Sequence, residues 1–268
     1  MKKLVFIKLG GSSITDVGKE NTAKESEIYR LLDEIYSAKK ELGFDVVIGH
    51  GSGSFGHVPA KKYKVNEGLV NDESRKGAVI TKQVAQQLDS ILVDIAIRQN
   101  IPVMPFAPSS FMMLKNGEIY SVYSEHIAKA LELGFIPVVY GDVVIDVEKG
   151  VQIASTETVL HALSKSMKPD IVIMDTDVNG IYDKDPVKYK DAKLIRHVDS
   201  SNIMQVIDAA GGSNKIDVTG GMKHKLIITY EMIKETKGVG YIANANVPGI
   251  IGRILNNDER VECTKIEA

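Results

Sequence analysis

The sequence predicts a three-layer α/β/α sandwich around a mostly parallel central sheet, with one small β-hairpin insert. Two observations predict this class. Short apolar runs alternate with stretches of helical periodicity along the whole chain, and strands that are apolar on both faces need helices on both sides of their sheet. No repeat of 20 to 50 residues and no low-complexity tract interrupts this pattern. We therefore expect one continuous domain over residues 1–268.

The elements follow in order from this alternation. Residues 4–9 form a strand-like run, residues 22–42 carry apolar side chains at helical spacing, and residues 45–48 are again β-branched, which together predict a β-α-β unit. Further helices are predicted over residues 73–100, 124–133, 156–167, 201–209 and 222–237. Further strands are predicted over residues 101–106, 136–140, 170–174 and 240–243. Residues 143–153, with Gly150 near their centre, predict the hairpin.

Charge and cysteine content exclude several classes of partner. Lys plus Arg number 33 and Asp plus Glu number 35, so a net charge of -2 leaves no basic excess to neutralise nucleic acid or an anionic membrane. The apolar runs are far shorter than the roughly 20 residues that cross a bilayer. Cys263 is the single cysteine, and Lys8 interrupts the first apolar run too early for a signal peptide. We expect a cytoplasmic protein with no nucleic-acid or membrane partner.

Three glycine clusters follow predicted strands. They contain Gly10 and Gly11, then the segment 51–56, then Gly220 and Gly221. Glycine lets the backbone approach a ligand and turn its N–H groups inward, and a helix that begins there adds the positive end of its dipole. A single cluster is as often a tight turn. Because the carboxyl ends of parallel strands meet at one edge of a sheet, the three clusters together predict an anion site there.

Two familiar phosphate-binding patterns do not account for these glycines. The segment 51–56 matches G-x-G-x-x-G, but it follows the second predicted strand instead of the first, and the basic residues 61–64 that follow do not form an apolar helix face. The G-K-[ST] ending of a P-loop is absent as well. A dinucleotide-binding oxidoreductase is therefore disfavoured.

Two lysines accompany the glycines. Lys8 lies between the apolar residues Ile7 and Leu9, two positions before Gly10, and Lys225 follows Gly221 in a predicted helix. An unpaired buried ammonium group is expensive, so an anion is expected to face it, although a lysine at a strand end can also extend to solvent. Two lysines beside glycine loops fit phosphoryl transfer, in which negative charge spreads over the transferred oxygens.

Taken in order, four segments resemble the amino acid kinase superfamily over essentially the whole chain. They are residues 8–12, 50–57, 175–182 and 219–225. Within the superfamily, the Gly56-His57 pair together with residues 108–111, 141–143 and 217–222 resembles the isopentenyl phosphate kinases. The resemblance implies transfer of the ATP γ-phosphate to isopentenyl phosphate, a step of isoprenoid biosynthesis in the alternative mevalonate pathway. It also implies lobes over residues 1–169 for the acceptor and 170–268 for the nucleotide.

The resemblance assigns roles to individual residues. Lys8, His57, Lys225 and Glu157 are implied as catalytic residues, with Glu157 orienting the two lysines. The implied ATP-binding residues are Lys8, Gly10, Gly11, Ser12, Ser52, Asp177, Tyr182, Gly220, Gly221 and Lys225. The implied acceptor-binding residues are Gly51, Ser52, Gly56, His57 and Thr156. Mg²⁺ is expected to arrive with ATP, because no cluster in the sequence has obvious metal-ligand spacing.

His57 is the expected reader of the acceptor phosphate, through a charge-assisted hydrogen bond. Without the motif, a lone histidine is more often a packed or solvated residue. No general base is needed, since a phosphate monoester has a second pKa near 6 and presents an ionised oxygen at neutral pH. The expected contribution of the protein is therefore alignment and neutralisation of charge.

Several positions depart from the family pattern. Ser52 stands where glycine is common, Thr156 and Glu157 replace a Gly-Asp pair, and Val17 occupies a position that is often lysine, so Lys19 is a possible substitute. Small residues at 77–80 suggest room for alkenyl phosphates longer than five carbons, or they simply pack against the sheet.

Other functions remain open from the sequence. The rivals are a kinase of fosfomycin, of a nucleoside monophosphate or of a carboxylate, and a nucleotide-binding protein without turnover. The long helix predicted over residues 73–100 and the family resemblance suggest a homodimer.

Overall fold

The computed structural model describes residues 2–210 and 221–268. Its α-helices are α1 (Gly11–Ile14), α2 (Glu25–Leu42), α3 (Gly53–Lys62), α4 (Asp72–Arg98), α5 (Glu125–Glu132), α6 (Thr156–Met167), α7 (Ile203–Ala210), α8 (Gly221–Thr236) and α9 (Ile250–Leu255). Its strands are β1 (Leu4–Leu9), β2 (Asp45–His50), β3 (Val103–Pro105), β4 (Met112–Lys115), β5 (Glu118–Val122), β6 (Ile136–Tyr140), β7 (Asp142–Asp146), β8 (Gly150–Ala154), β9 (Ile171–Thr176), β10 (Ile181–Tyr182), β11 (Leu194–Ile195), β12 (His197–Val198), β13 (Val239–Asn244) and β14 (Cys263–Ile266).

The large central sheet has the strand order β12-β14-β13-β9-β1-β2-β6-β3. Its neighbouring strands run parallel except for the antiparallel pair β13 and β14. At its centre, Phe6 pairs with Val47 on one side and with Val172 on the other. The mostly parallel sheet is therefore confirmed, and β1, β2 and β9 bring their carboxyl ends to the same edge.

Side chains of the central strands alternate between two apolar cores. Val5 and Ile7 of β1 lie in a core with residues of α2, α4 and α9, whereas Phe6 points to the opposite face and packs with residues of α6 and α8. Because each strand is buried on both faces, the strands read as continuous apolar runs. The three-layer α/β/α sandwich is confirmed.

The helices form where the sequence offers both an apolar stripe and a terminal signal. Helix α2 buries Ile28, Leu31 and Ile35 on one stripe and ends at Gly43, whose φ of 69° is favoured for glycine. Helix α4 begins with a capping box, in which the Asn71 side chain accepts the Ser74 N–H and the Ser74 hydroxyl accepts the Asn71 N–H.

The β-rich insert is larger than expected. The predicted hairpin over residues 143–153 is present as β7 and β8, but it joins a second hairpin in a four-stranded sheet of order β5-β4-β7-β8. The second hairpin turns at Asn116 and Gly117, with φ of 52° and 85°. Asn-Gly between short strands is a strong turn signal, because both residues tolerate positive φ.

Helix α3 was also not predicted. It spans ten residues, begins at Gly53 within the glycine cluster 51–56 and contains Pro59 in its interior. The proline and the following lysines masked the helical pattern, although Phe55 and Ala60 are buried. This helix carries His57. Within the two described ranges, no helix combines the length and apolar character needed to cross a membrane.

Candidate active site

The site lies at the carboxyl edge of β1, β2 and β9. The turn after β1 contains Gly10 and leads into α1 at Gly11, and the turn after β2 contains Gly51 and leads into α3 at Gly53. A Cβ added at Gly11 would lie 2.5 Å from the Gly53 nitrogen, and one at Gly51 would lie 2.8 Å from the Gly11 nitrogen. Since a Cβ is not tolerated at such distances, glycine is required for the two loops to touch backbone to backbone.

Lys8 and Glu157 form a buried ion pair beneath these loops. The Lys8 Nζ donates to Glu157 Oε1 at 2.7 Å, and each side chain is 9% exposed. Burial alone would raise the pKa of the Glu157 carboxyl, but the charges of Lys8 and Lys225 outweigh burial and lower that pKa to about 2. Glu157 is therefore ionised at neutral pH and holds the Lys8 ammonium at the end of β1.

Lys225 is the second ammonium group of the cluster. Its Nζ donates to the Asp175 carbonyl oxygen at 2.7 Å. Burial and the neighbouring charge of Lys8 lower the pKa of Lys225 to about 8, although nearby carboxylates act in the opposite direction. Two ammonium groups beside the Glu157 carboxylate give this edge the positive charge that phosphoryl oxygens require.

Asp175 fixes the first glycine loop, a role that we did not assign from the sequence. Its carboxylate accepts the Gly10 N–H at 2.7 Å and the Ala245 N–H at 3.0 Å, and the side chain is buried. A carboxylate at the end of an otherwise buried strand is the signal that could have identified it.

A buried pair behind the second glycine loop was also missed. His50 Nε2 lies 3.2 Å from Asp89 Oδ1, and the His50 carbonyl oxygen accepts the Thr156 hydroxyl at 2.7 Å. Asp89 stands on the buried face of α4 among apolar residues, which is the sequence signal for such a partner. His50 thus connects the loop before α3 to both α4 and α6.

Thr156 fits its buried position because its hydroxyl donates to the His50 carbonyl oxygen. The side chain replaces a glycine of the family pattern, and it lies at the N-terminus of α6, where the Ser155 Oγ accepts the Thr158 N–H at 3.1 Å. Thr156 lines the cavity, but its hydroxyl donates to the protein backbone. Glu157 follows it directly and reaches Lys8.

One cavity of about 1050 Å³ joins these features. It is lined by every expected site residue that the structure describes: Lys8, Gly10, Gly11, Ser12, Gly51, Ser52, Gly56, His57, Thr156, Glu157, Asp177, Tyr182, Gly221 and Lys225. The expected residue Gly220 lies outside the described residues. The sequence-predicted residues are therefore brought together at one opening of the sheet edge.

The cavity has two ends. Asp177, Tyr182 and residues 184–187 line one end, which follows β9. His57 on α3 and Thr81 and Ala85 on α4 line the other. Val17, at the position that is often lysine in the family pattern, and Lys19 are both exposed at the rim of the cavity. Lys19 lies on the same loop and can supply a positive charge there.

Of the two alternatives for residues 77–80, room for a longer acceptor is not found at Gly77, where the protein itself fills the space. A Cβ added at Gly77 would lie 2.1 Å from the Tyr63 Cβ, so Gly77 accommodates the Tyr63 side chain. Val79 is exposed instead of lining the cavity. The apolar wall lies about two turns after Gly77 on α4, at Ala85, and on the hairpin at Val143 and Ile153. The packing partner of Gly77 is thus Tyr63, a residue at the end of α3 and not of the sheet.

Within the described part of the chain, no group of three or more His, Cys, Asp or Glu side chains has the arrangement of a metal site. Asp175 is engaged by two backbone N–H groups.

Comparisons with known proteins agree with this geometry. The model of the amino acid kinase family matches residues 3–244. The isopentenyl phosphate kinase of Methanothermobacter thermautotrophicus is 34% identical over 96% of this chain and 96% of its own length. That of Methanocaldococcus jannaschii is 32% identical over 98% of each chain. A solved isopentenyl phosphate kinase structure aligns with a TM-score of 0.80 at 30% identity, covering 98% of this chain and 99% of the other.

Proposed function

Because the chain belongs to the amino acid kinase family and, within it, to the isopentenyl phosphate kinases, we propose that it transfers the γ-phosphoryl group of ATP to isopentenyl phosphate. The products are isopentenyl diphosphate and ADP. The resemblance inferred from the four sequence segments is confirmed at the level of the family. The observation that carries the proposal is the Lys8, Glu157 and Lys225 cluster beside two touching glycine loops, all facing one cavity.

The reaction needs little covalent help from the protein. An ionised oxygen of the acceptor phosphate attacks the γ-phosphorus, a new P–O bond forms, and the bond from the γ-phosphorus to the β,γ-bridging oxygen breaks with its electron pair leaving on ADP. Since the acceptor oxygen is already ionised at neutral pH, no proton has to be removed. The residues of the site therefore act by holding the two phosphates in line and by offsetting charge.

Each charged residue has a distinct part in this proposal. Lys8 and Lys225 lie at the transferring phosphoryl group, and Glu157 holds the Lys8 ammonium in place. Backbone N–H groups of the Gly10–Gly11 and Gly51–Gly53 loops donate to phosphate oxygens, and α3 directs its positive N-terminus toward the acceptor. His57 donates to the acceptor phosphate from the first turns of the same helix.

Mg²⁺ is proposed as the ion bound with ATP. The described residues offer no cluster of three ligands, so the nucleotide phosphates and water would supply most of its coordination. Its chemistry in such a site is neutralisation of phosphate charge.

We further propose that residues 1–169 hold the acceptor and residues 170–268 the nucleotide. The acceptor-side residues His57, Ala85 and Val143 precede residue 170, whereas Asp177, Tyr182 and Lys225 follow it. Lys8 and Glu157 come from the first part but stand between the two substrates.

A cytoplasmic homodimer is proposed as the working form. Cys263 is buried and free, as suits a reducing compartment. Val79 and Ile97 are exposed apolar residues on α4, separated by about five helical turns and therefore on one face, which a partner copy would cover. Sedimentation equilibrium tests this proposal, because a monomer at micromolar concentration would contradict it.

An acceptor panel with ATP tests the proposed function. Isopentenyl phosphate, geranyl phosphate, fosfomycin and UMP are compared by phosphorus NMR for the new phosphoanhydride and by a coupled assay for ADP. We expect kcat/KM for isopentenyl phosphate to exceed that for fosfomycin and UMP by about 100-fold or more, a difference of about 3 kcal/mol. A preference for another acceptor, or no ADP with any of them, would contradict the proposal.

The same assay separates acceptor recognition from ATP binding. His57→Ala and His57→Asn should lower kcat/KM for isopentenyl phosphate by about 10- to 1000-fold, the range expected for a charge-assisted contact to a phosphate that also reacts. The affinity for ATP, measured by calorimetry, should change less than about threefold. Unchanged turnover in both variants would remove His57 from the site.

A further inference from the structure

Lys61 lies on α3 one helical turn after His57 and lines the same cavity. We propose that Lys61 is a further acceptor-binding residue, whose ammonium group contacts the phosphate of isopentenyl phosphate. This inference rests on the proposed function and adds a permanently charged group to its acceptor site.

Helix geometry places the two side chains together. Residues four apart lie on the same face of a helix, and four residues rise about 6 Å along its axis. Helical side chains lean toward the N-terminus, and the four-carbon stem of lysine spans about one helical turn. The Lys61 ammonium can therefore reach back to the level of His57, toward the N-terminus of α3 where Gly51 and Ser52 line the cavity.

The acceptor end of the cavity needs a further positive charge. The acceptor phosphate carries close to two negative charges at neutral pH. Lys8 is paired with Glu157, and Lys225 donates to the Asp175 carbonyl, so both ammonium groups are held at the centre of the site. His57 supplies a full positive charge only in its protonated form. A cation that keeps its charge across the neutral range is what the acceptor end would otherwise lack.

The ammonium group of Lys61 can supply this positive charge. Within residues 2–210 and 221–268 its ammonium group has neither an ion pair nor a hydrogen bond, and its side chain is exposed. Its neighbouring cations on the rim, Lys19 and Lys184, belong to other loops, and Lys184 is paired with Asp191. An ammonium group without a protein partner loses no ion pair when it binds a phosphate, so the charge-assisted gain is offset only by desolvation and by ordering of the side chain.

The next residue provides a matched control. Lys62 does not line this cavity; its Nζ lies 5.2 Å from the centre of the Tyr63 ring, and it lines a separate groove with Glu67 and Ser74. Lys61 and Lys62 carry the same charge and are adjacent residues of α3. They lie on different faces of the helix, since Lys61 lines the cavity and Lys62 lines the separate groove.

The test compares Lys61→Met, Lys61→Arg and Lys62→Met with the wild type by steady-state kinetics. For Lys61→Met we expect KM for isopentenyl phosphate to rise about tenfold, while KM for ATP changes less than about twofold. Lys61→Arg keeps the charge and should stay within about threefold of the wild type. Lys62→Met should stay within about twofold for both substrates. Calorimetric titration of isopentenyl phosphate without ATP should show the same tenfold loss in Lys61→Met alone.

The outcomes distinguish this inference from the function on which it rests. If the wild type phosphorylates isopentenyl phosphate but Lys61→Met keeps its KM, the inference is wrong and the proposed function stands. An equal rise in Lys61→Met and Lys62→Met would mean a general effect of net charge and would likewise overturn the inference. If the wild type does not act on isopentenyl phosphate at all, both fall. The melting temperatures of the Lys61 and Lys62 variants should match that of the wild type, because both side chains are exposed. A loss of affinity then reports on binding and not on folding.

Discussion

Lys8, Glu157 and Lys225 explain how two like charges are kept close together in a largely buried place. The Glu157 carboxylate between them offsets their repulsion, and its pKa is lowered to about 2 by that environment. The remaining repulsion acts on Lys225, because burial and the charge of Lys8 lower its pKa to about 8. The free protein is thus prepared for an anion, and binding of phosphate would raise the pKa of Lys225 back toward its ordinary value.

This arrangement predicts a pH dependence. Lys225 is protonated below its lowered pKa, so kcat/KM for ATP should fall as pH rises above about 8. Lys225→Arg keeps its charge across this range, and the decline should disappear up to pH 10, although kcat itself is expected to be lower. The acceptor phosphate is fully ionised throughout, since its second pKa lies near 6. Initial rates between pH 7.5 and 10 measure both profiles. A flat wild-type profile, or an identical decline in Lys225→Arg, would contradict this role for Lys225.

At the level of single residues, the sequence predicts the charged and glycine groups better than their partners. Lys8 is conspicuous because a charge interrupts an apolar strand, and its position before Gly10 indicates an anion. By contrast, Asp175 and the His50–Asp89 pair act through contacts between residues that are 39 or more positions apart. Such partners depend on strand order and helix packing, which a single sequence does not specify.

Among the elements, α3 and α4 determine the shape of the acceptor end. The Tyr63 residue that follows α3 packs directly on Gly77 of α4, so the missing side chain at Gly77 makes space for an aromatic ring of the protein. The sequence left two alternatives for this glycine, room for a longer acceptor or packing against the sheet. Neither alternative included Tyr63, because α3 itself was not predicted and its end could not be placed.

The contact predicts a large effect of one methyl group. Gly77→Ala would place a Cβ 2.1 Å from the Tyr63 Cβ, so α3 or α4 must shift, and the free energy of unfolding should fall by about 1 to 3 kcal/mol. Gly252→Ala in α9 is the control, because no atom lies within 4 Å of the added Cβ and alanine favours helix. That variant should gain up to about 1 kcal/mol. Urea denaturation measures both, and an unchanged midpoint for Gly77→Ala would exclude the contact.

Elements with a clear period were predicted well, and so was the β7–β8 hairpin around Gly150, whereas the β4–β5 hairpin was not. Helix α2 and strand β1 follow from buried apolar residues at their expected spacing. The β4–β5 hairpin has short strands with a register shift between Met113 and Leu114, which weakens the alternation that identifies a strand. The Asn116-Gly117 pair is the sequence feature that indicates this hairpin, because both residues tolerate the positive φ of its turn.

In the whole molecule, the order of the strands matters more than any one of them. Placing β9, β1 and β2 side by side brings Asp175, the Gly10–Gly11 loop and the Gly51–Gly53 loop to one edge. The cavity of about 1050 Å³ extends across that edge from Tyr182 to Ala85. The alternation of strands and helices predicts such a sheet, and the convergence of glycine loops follows from parallel strands. The central claim is therefore that ATP and the acceptor meet end to end in this cavity.

A bisubstrate analogue tests that claim most directly. In the analogue, the γ-phosphate of ATP is joined to isopentenyl phosphate, and its affinity is measured by isothermal titration calorimetry with competition against each substrate. If both halves occupy one continuous cavity, the analogue should bind about 100-fold or more tightly than either substrate alone and should displace both. An affinity no better than that of ATP, with displacement of only one substrate, would contradict the account.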